Sequence, residues 1–486
     1  MPQDPVPGLL ARATEVLEAE FAVLPAFEAA AGPSTIDPAA MARVLEATAK
    51  RLGDNYPYFH PLYAGQMLKP PHPVARAAYA LAMKINPNNH ARDGGRASSK
   101  MEIEAVGQIA AMFGWVDSRV SGSDGLDSSG SFLGHLTSSG TLANLEALWV
   151  AGQLGQKSGT GRRIVGSGQA HYTHSRISAV LKLEFASIPA DKRGRMCLDA
   201  LEDELRRGDV GTVVVTLGTT AIGAVDPLGE IVALRQKYGF RIHVDAAYGG
   251  YFGLIADALD EPAQRAYAAI GQADSIVIDP HKHGLQPYGC GCVLFQDAGV
   301  GQLYKHDSPY TYFTSKDLHL GEISLECSRA GAAAVALWAT QQLLPLTPDG
   351  EFANGLRRGR AAAVALDQLL RTDSRREGNP REGNPFAPLA AGAPELDIVV
   401  WKVKANRAEE ASQLAQQVFN SCAARDLHLA LVQLPNNWFS TGDAEDADMV
   451  TCLRSVLMKP EHEEWVVRIW ERLSATAGEV VPGCRT

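Results

Sequence analysis

The sequence predicts an α/β protein whose central sheet is mostly parallel. In the middle of the 486-residue chain, β-rich runs that are apolar on both faces alternate with loops and helical patterns. Strands that are apolar on both faces are typical of parallel sheets covered by helices. The predicted parallel strands are residues 134–137, 163–167, 212–216, 241–245 and 273–278.

One further strand departs from this pattern. Residues 291–295 are also apolar, but they follow residue 278 after a gap that is too short for a crossover helix. Parallel neighbours need such a crossover, whereas antiparallel neighbours do not. We therefore expect a mostly parallel sheet with one antiparallel strand.

The flanking segments predict three parts: an N-terminal helical segment at 1–105, a large domain at 106–350 and a small C-terminal α/β domain at 351–486. In the first part, helical spacing of apolar residues predicts helices at 9–53, 74–85 and 100–113. Residues 56–73 and 86–99 are rich in Pro, Gly, Asn and His and are predicted to be irregular.

The C-terminal part begins with a segment, 372–395, that is rich in Pro, Gly and charge and contains a pentapeptide repeated once. We predict a mobile surface loop there. After it we expect strands at 397–403, 428–434 and 449–456 and helices at 407–425 and 461–476.

Composition restricts the class of protein. The chain is 46% hydrophobic and 21% charged, which is ordinary for a globular protein. A net charge of −10 argues against nucleic acid or a membrane surface as the main partner. Seven cysteines in a long chain do not form a disulfide pattern, and neither a signal peptide nor a membrane-spanning run is found. We expect a cytoplasmic protein.

An acid and a lysine each follow a predicted buried strand. Asp245 ends one predicted strand. Lys282 lies 37 residues later, in the loop that follows the next predicted strand, and belongs to the motif Asp-Pro-His-Lys. A lysine that forms a Schiff base with pyridoxal phosphate (PLP), and a carboxylate that pairs with the ring nitrogen, are what a PLP enzyme needs. Taken singly, the lysine could be a surface charge and the acid a helix cap.

A possible phosphate site lies at the same edge of the sheet. Ser138-Ser139-Gly140-Thr141 follows a strand and opens a helix. Backbone amides at a helix N-terminus, together with hydroxyls, can hold a phosphate group, although an ordinary N-cap is the alternative. Because open α/β sheets bind ligands at the carboxyl ends of their strands, we favour phosphate binding.

Two further loops at this edge carry polar residues. His171 could stack on a flat ring or be a simple loop histidine, and with His174 it makes only a weak candidate for a metal site. Thr219 and Thr220 could bond the acid or the phosphate, or only shape a turn beside Gly218. No metal site is predicted.

Four motifs in order resemble the signature of the PLP-dependent group II amino acid decarboxylases. They are Gln169-Ala170-His171, Leu217-Gly218-Thr219-Thr220, His243-Val244-Asp245-Ala246-Ala247-Tyr248 and Asp279-Pro280-His281-Lys282. The resemblance extends from about His60 to the last helix. It implies the PLP-dependent transferase-like fold type I, the fold of aspartate aminotransferase.

The resemblance assigns a role to each matching residue. Lys282 would bind the cofactor covalently, with His281 beside it, and Asp245 would bind the ring nitrogen with support from Thr219 or Thr220. His171 would stack above the ring as a candidate proton donor, and Ala247 would pack below it. The phosphate would be held by Gly140, Thr141 and Ser139. Asp279 belongs to the cofactor site too, but many relatives have Asn there.

The resemblance also implies a homodimer with both active sites at the interface. A loop beyond the lysine would carry a catalytic tyrosine into the partner's site, and here Tyr310 and Tyr312 are both candidates, unless they form only an aromatic interface patch. We expect substrate contacts from His60, Gln66 and Arg329.

The expected reaction is decarboxylation of an L-amino acid. The stretch 304–329 is shorter than in the aromatic amino acid decarboxylases, and Ser328-Arg329-Ala330-Gly331 is similar to a segment of the archaeal tyrosine decarboxylases and the sphingosine-phosphate lyases. The alternatives are therefore carbon–carbon lysis of that type, or decarboxylation coupled to oxidative deamination to an aldehyde. A further alternative is a relative without catalytic activity, but the presence of both Lys282 and Asp245 argues against it.

Overall fold

The computed structural model describes residues 4–25, 37–91, 93–115, 132–158, 161–304, 324–372, 384–439 and 449–481. Within them, a seven-stranded sheet occupies the centre in the order β1-β7-β6-β5-β4-β2-β3. Its strands are β1 (Leu133–Thr137), β2 (Arg163–Ser167), β3 (Phe185–Ile188), β4 (Val210–Thr216), β5 (Arg241–Asp245), β6 (Ser275–Ile278) and β7 (Gly291–Phe295).

The predicted mixture of parallel and antiparallel strands is confirmed. β2 through β6 pair in parallel, while β7 pairs antiparallel with both β6 and β1. Strand β3 was not predicted. It is a four-residue edge strand with only one buried residue, so it lacks the apolar pattern of the central strands.

Helices surround this sheet because its central strands are buried on both faces. The described helices are α1 (Val6–Phe21), α2 (Pro38–Leu52), α3 (Pro73–Met83), α4 (Arg96–Met112), α5 (Gly140–Ser158), α6 (Thr173–Val180), α7 (Leu198–Leu205), α8 (Leu228–Tyr238), α9 (Glu261–Ala268), α10 (Gly331–Leu343), α11 (Glu351–Arg371), α12 (Ala408–Ala423) and α13 (His462–Val480).

The single helical pattern predicted at 9–53 is two helices. Asp37 caps the start of α2 by accepting a hydrogen bond from the amide of Ala39, and Pro38 occupies the first helical position. Both residues favour a helix start over a helix interior. Helix α4 crosses the boundary predicted at residue 105, and the division of the chain into three parts stays a prediction.

The C-terminal part contains a second, fully antiparallel sheet in the order β10-β11-β9-β8. Its strands are β8 (Phe386–Pro388), β9 (Ile398–Val403), β10 (Ala430–Pro435) and β11 (Met449–Val456). Apolar residues of α11, α12 and α13 pack against it in one buried cluster.

Part of the predicted loop at 372–395 belongs to this sheet. Phe386 is buried in β8, and Glu395 is a buried partner of Arg195. A three-residue strand between prolines and glycines gives too weak a pattern to predict. Most of the repeated pentapeptide lies outside the described residues.

Among the described helices, none combines the length and the hydropathy that a bilayer crossing requires.

Candidate functional site

The loops that follow β1, β2, β4, β5 and β6 meet at one edge of the large sheet. They enclose a cleft of about 670 Å³. Its lining residues come from all five loops: Ser139, Gly140, Thr141, Asn144, His171, Thr173, Thr216, Gly218, Thr220, Asp245, Ala247, Tyr248, Asp279, His281 and Lys282. This is the edge at which open α/β sheets bind ligands.

Asp245 is buried and accepts two hydrogen bonds. Oδ2 lies 2.7 Å from Nε2 of His174, and Oδ1 accepts from the backbone amide of Ala247 at 3.1 Å. Burial alone would raise the pKa of this carboxyl. The hydrogen bond from His174 and the nearby charge of Lys282 outweigh burial and hold the pKa of Asp245 well below its usual range. The carboxylate therefore stays ionised.

His174 was missed by sequence reasoning, which considered it only as a weak metal ligand. It is fully buried in the first turn of α6, and its second ring nitrogen, Nδ1, has no partner among the described residues. Because a carboxylate oxygen can only accept, the Nε2–H of His174 donates the hydrogen bond to Asp245.

A second buried histidine lies beside this pair. The ring of His243 is 6.2 Å from that of His174, and its nitrogens contact Asn144 Oδ1 at 2.7 Å and Ser275 Oγ at 2.9 Å. Burial lowers the pKa of His243 to about 3. His243 is therefore neutral, and Asn144, which also lines the cleft, is fixed by it.

Lys282 follows β6 in a tight turn. Its backbone amide donates to the carbonyl of Asp279, and its Nζ lies 3.1 Å from Asp279 Oδ2. The neighbouring His281 also lines the cleft: its Nδ1 is 2.7 Å from the carbonyl oxygen of Cys290, its Nε2 lies 3.5 Å from the same Asp279 Oδ2, and burial lowers its pKa. The lysine amine is thus in the cleft, with a carboxylate beside it.

The residues predicted to hold a phosphate, at the start of α5, lie at the cleft. Gly140 and Thr141 line the cleft, while the hydroxyl of Ser139 accepts the amide of Leu142 as an N-cap. A Cβ on Gly140 would come within 2.5 Å of both carboxylate oxygens of Asp279, so only glycine lets the helix approach this carboxylate. The first amides of a helix have no acceptor within the helix and can bind an anion.

His171 is held by its neighbour Thr173. Nδ1 lies 2.7 Å from Thr173 Oγ1 and 3.4 Å from the Thr173 amide. An Nδ1 that accepts from this amide has its proton on Nε2. Burial lowers the pKa of His171, so the ring is neutral with Nε2–H as its donor.

The structure does not bring every predicted residue to the cleft. Thr219 is fully buried and its hydroxyl accepts the amide of Ala224, so it shapes the turn, whereas Thr220 lines the cleft. Thr216 also lines it, and its hydroxyl has no partner among the described residues.

The three predicted substrate residues do not line the cleft either. Arg329 is buried, forms an ion pair with Glu102 and donates to the carbonyls of Leu136 and Asn89. These contacts give it a structural role instead of the predicted contact with substrate. His60 accepts the amide of Leu62 and contacts Trp465. Tyr310 and Tyr312 lie outside the described residues.

Gln66, the third of these residues, is exposed and contacts a buried cation. Its Oε1 lies 3.4 Å from a terminal nitrogen of Arg454. Arg454 is 4% exposed, and its Nε and Nη2 have no hydrogen-bond partner in the described part of the chain.

The residues of the cleft fit PLP. A lysine amine, a carboxylate that stays ionised and a helix N-terminus freed by Gly140 lie in one cavity, and the unpartnered hydroxyl of Thr216 adds a polar group. Lys282, Asp245, and Gly140 with Thr141 would hold the aldehyde, the ring nitrogen and the phosphate. No cluster of three or more His, Cys, Asp or Glu suited to a metal ion occurs within the described ranges.

Comparison with known proteins agrees with this site. The model of the pyridoxal-dependent decarboxylase conserved domain matches residues 57–377. An L-tyrosine decarboxylase of Enterococcus faecium is 27% identical in an alignment of length 407 that covers 64% of each chain. A probable L-tyrosine/L-aspartate decarboxylase of Methanoculleus marisnigri is 28% identical over 70% of this chain and 84% of its own. The match thus spans less than two thirds of the Enterococcus enzyme.

A solved structure shares the fold. Oryza sativa TDC with PLP and tryptamine superposes with a TM-score of 0.72 at 18% identity, covering 99% of both chains. At that identity the likeness shows the fold alone, whereas the domain match covers more than half of the sequence. The chain therefore belongs to the pyridoxal-dependent decarboxylase family, whose cofactor is pyridoxal phosphate.

Proposed function

We propose that this protein decarboxylates an L-amino acid to the corresponding amine and CO2, with PLP bound through Lys282. The observation that carries the proposal is the single cleft in which Lys282, the ionised Asp245 and the start of α5 meet. Family membership and relatives named as tyrosine and aspartate decarboxylases support it.

Bound PLP supplies an electron sink for the electrons of the bond that breaks between Cα and the carboxylate. Asp245 maintains that sink, because an ionised carboxylate favours a proton on the ring nitrogen. Its charge is held by His174 and by the Ala247 amide in a buried setting, where electrostatic interactions are stronger than in water. Ala247 lines the cleft and would limit the position of the ring.

Loss of CO2 leaves Cα in need of a proton. His171 is the candidate donor in the described part of the cleft, since Thr173 fixes its Nδ1 as an acceptor and leaves the proton on Nε2. A loop tyrosine, Tyr310 or Tyr312, is the rival donor that the family resemblance implies. The proton must be replaced from solvent in each turnover.

Substrate recognition is part of the proposal. Of the predicted substrate residues, Gln66 is supported by its contact with Arg454, whose buried guanidinium has unsatisfied donors. The charge of Arg454 also acts on Tyr248, which lines the cleft. An arginine with free donors suits a carboxylate, so we propose that Arg454 and Gln66 help to bind the amino acid.

The active form is proposed to be a homodimer with its active sites at the interface. Helices α1 and α2 have no buried residue in the described chain, and α2 exposes Met41, Val44, Leu45 and Leu52 along one face. An apolar stripe of this size is typical of a protein–protein contact. A cytoplasmic location is supported by the free thiols of the described cysteines.

Product analysis tests the function directly. Purified holoenzyme is incubated with single L-amino acids, and CO2, amine and aldehyde are quantified. The proposal predicts equal amounts of CO2 and amine, and in D2O one deuterium on the amine carbon. An aldehyde without a matching amine, or no CO2 from any amino acid, would reject it.

A further inference from the structure

A second cavity lies behind the loop that carries Lys282. Its walls come from the N-terminal segment at 59–73, the loop after Lys282, the start of α11 and residues 459–461. Most of the lining is apolar, with prolines, leucines and the rings of Phe59 and Phe352. A largely apolar cavity with a few polar groups is the usual form of a small-molecule site.

Two lysines in this lining have no carboxylate partner. Lys459 is 4% exposed and donates to the carbonyl of Tyr63, and the partly buried Lys69 donates to the carbonyl of Met458 at 3.3 Å. Within the described chain, neither amine lies within 4.0 Å of an acid, although Glu351 and Glu461 also line the cavity as exposed residues. Each ammonium has three donors, so both retain unused ones.

Two histidines also line the cavity: His72, whose Nδ1 accepts the amide of Val74 and whose pKa is lowered by burial, and the buried His283. His283 is 2% exposed, and both of its ring nitrogens lack a hydrogen-bond partner among the described residues. Its Nε2 lies 3.3 Å from Asp397 Oδ2, but the contact does not have hydrogen-bond geometry. A buried, unsatisfied imidazole is costly unless a ligand or water completes its bonds.

We propose that this second cavity binds a small organic anion, with a carboxylate or phosphate group on the amines of Lys69 and Lys459 and an apolar portion against Phe352 and its neighbours. His283 donates its single N–H to the same group. The site is separate from the PLP cleft but adjacent to it, because the ring of Tyr248, which lines the cleft, is 4.7 Å from the ring of His283.

The charges around the amines make binding dependent on protons. Burial lowers the pKa of Lys69 to about 8, partly offset by Asp397 and Glu461, and burial together with Lys69 lowers the pKa of Lys459 to about 7. His283 stays neutral because burial lowers its pKa well below its usual range. A bound anion stabilises the ammonium forms of both lysines, so the protein takes up protons when the anion binds at neutral pH.

The test uses holoenzyme and isothermal titration calorimetry. Benzoate and phenyl phosphate are the anionic probes, and benzyl alcohol is the neutral probe of the same shape. Lys459→Met and Lys69→Met remove one charge each, and Lys192→Met at an exposed site is the matched control. At least one anion should bind to the wild type and to the control, and each cavity variant should weaken it about tenfold or more.

Titrations in HEPES and Tris should differ in heat in proportion to the protons taken up. A cooperative melting transition and unchanged cofactor absorbance show that a variant is folded, and the two lysines give two independent variants. Equal affinity in all variants, equal affinity for benzyl alcohol, or no binding of either anion at millimolar concentration would overturn the proposal. Whichever anion binds more tightly identifies the head group.

Discussion

His174 Nε2 donates a 2.7 Å hydrogen bond to Asp245 Oδ2, and both side chains are buried. This contact is the largest of the influences that lower the pKa of the acid on which the proposed chemistry depends. It acts together with the nearby charge of Lys282 against burial, which alone would raise the pKa of Asp245. The charge of Asp245 therefore depends on two elements, β5 and α6, and not on the β5 motif alone.

Replacing His174 with Leu should weaken PLP binding about tenfold, because the ring nitrogen would meet a less ionised acid. His174→Gln keeps an N–H donor and should recover most of the affinity. Titration with PLP, followed by absorbance, measures both. Ser178→Ala, at another buried position of the same helix, is the control. A Leu variant that binds PLP as tightly as wild type would show that His174 does not set the charge.

Asp279→Asn should have the opposite effect and tighten PLP binding roughly three- to tenfold, the size of a partly screened repulsion. The carboxylate of Asp279 lies against Gly140, where the phosphate would be held, and it also pairs with the Lys282 amine. Asn removes the repulsion and frees the lysine. The rate of PLP loss on dialysis gives the comparison, and faster loss from the Asn variant would contradict this view of Asp279.

The contribution of Lys69 and Lys459 to the free energy of unfolding should rise with pH between about 7 and 10. Lys69 and Lys459 have pKa values near 8 and 7 when folded and an ordinary pKa of 10.5 when unfolded. In that window the unfolded chain binds more protons, so each lysine adds up to about 1.4 kcal/mol per pH unit. Urea unfolding at pH 7.5 and 9.0 should show a smaller rise in Lys459→Met and Lys69→Met, but not in Lys192→Met. Identical slopes would refute the lowered pKa values.

Charge on the exposed face of α2 should separate the subunits. The double variant Val44→Glu with Leu45→Glu places two acids in the apolar stripe, and we expect dimer dissociation to become ~100-fold more favourable, with activity falling in parallel. Light scattering after size exclusion reports the mass. Glu46→Lys, elsewhere on the same helix, should remain dimeric. A wild-type protein that is already monomeric would exclude the dimer.

The sequence predicted those site residues whose position follows from the end of a strand. Asp245 and Lys282 were placed at one edge because neighbouring parallel strands end together. Thr219 and Thr220 were both predicted to support Asp245. In the turn, however, the side chain of Thr219 points into the interior and that of Thr220 lines the cleft. A Thr-Thr pair in the sequence does not show which of the two does which.

Partners that are distant in sequence could not be predicted. His174 is 71 residues from Asp245, and Arg329 is 227 residues from Glu102. Burial and pairing of such residues are decided by packing, so an arginine predicted to contact substrate proved to be structural. Strand β8 was hidden for a related reason, since three residues beside a proline carry no pattern.

The most direct test of the account is to reduce the holoenzyme with borohydride and map the PLP-labelled peptide. The label should be found on Lys282, and Lys282→Ala should carry no label and show no turnover. A label on any other residue, or activity that survives in Lys282→Ala, would contradict the central claim.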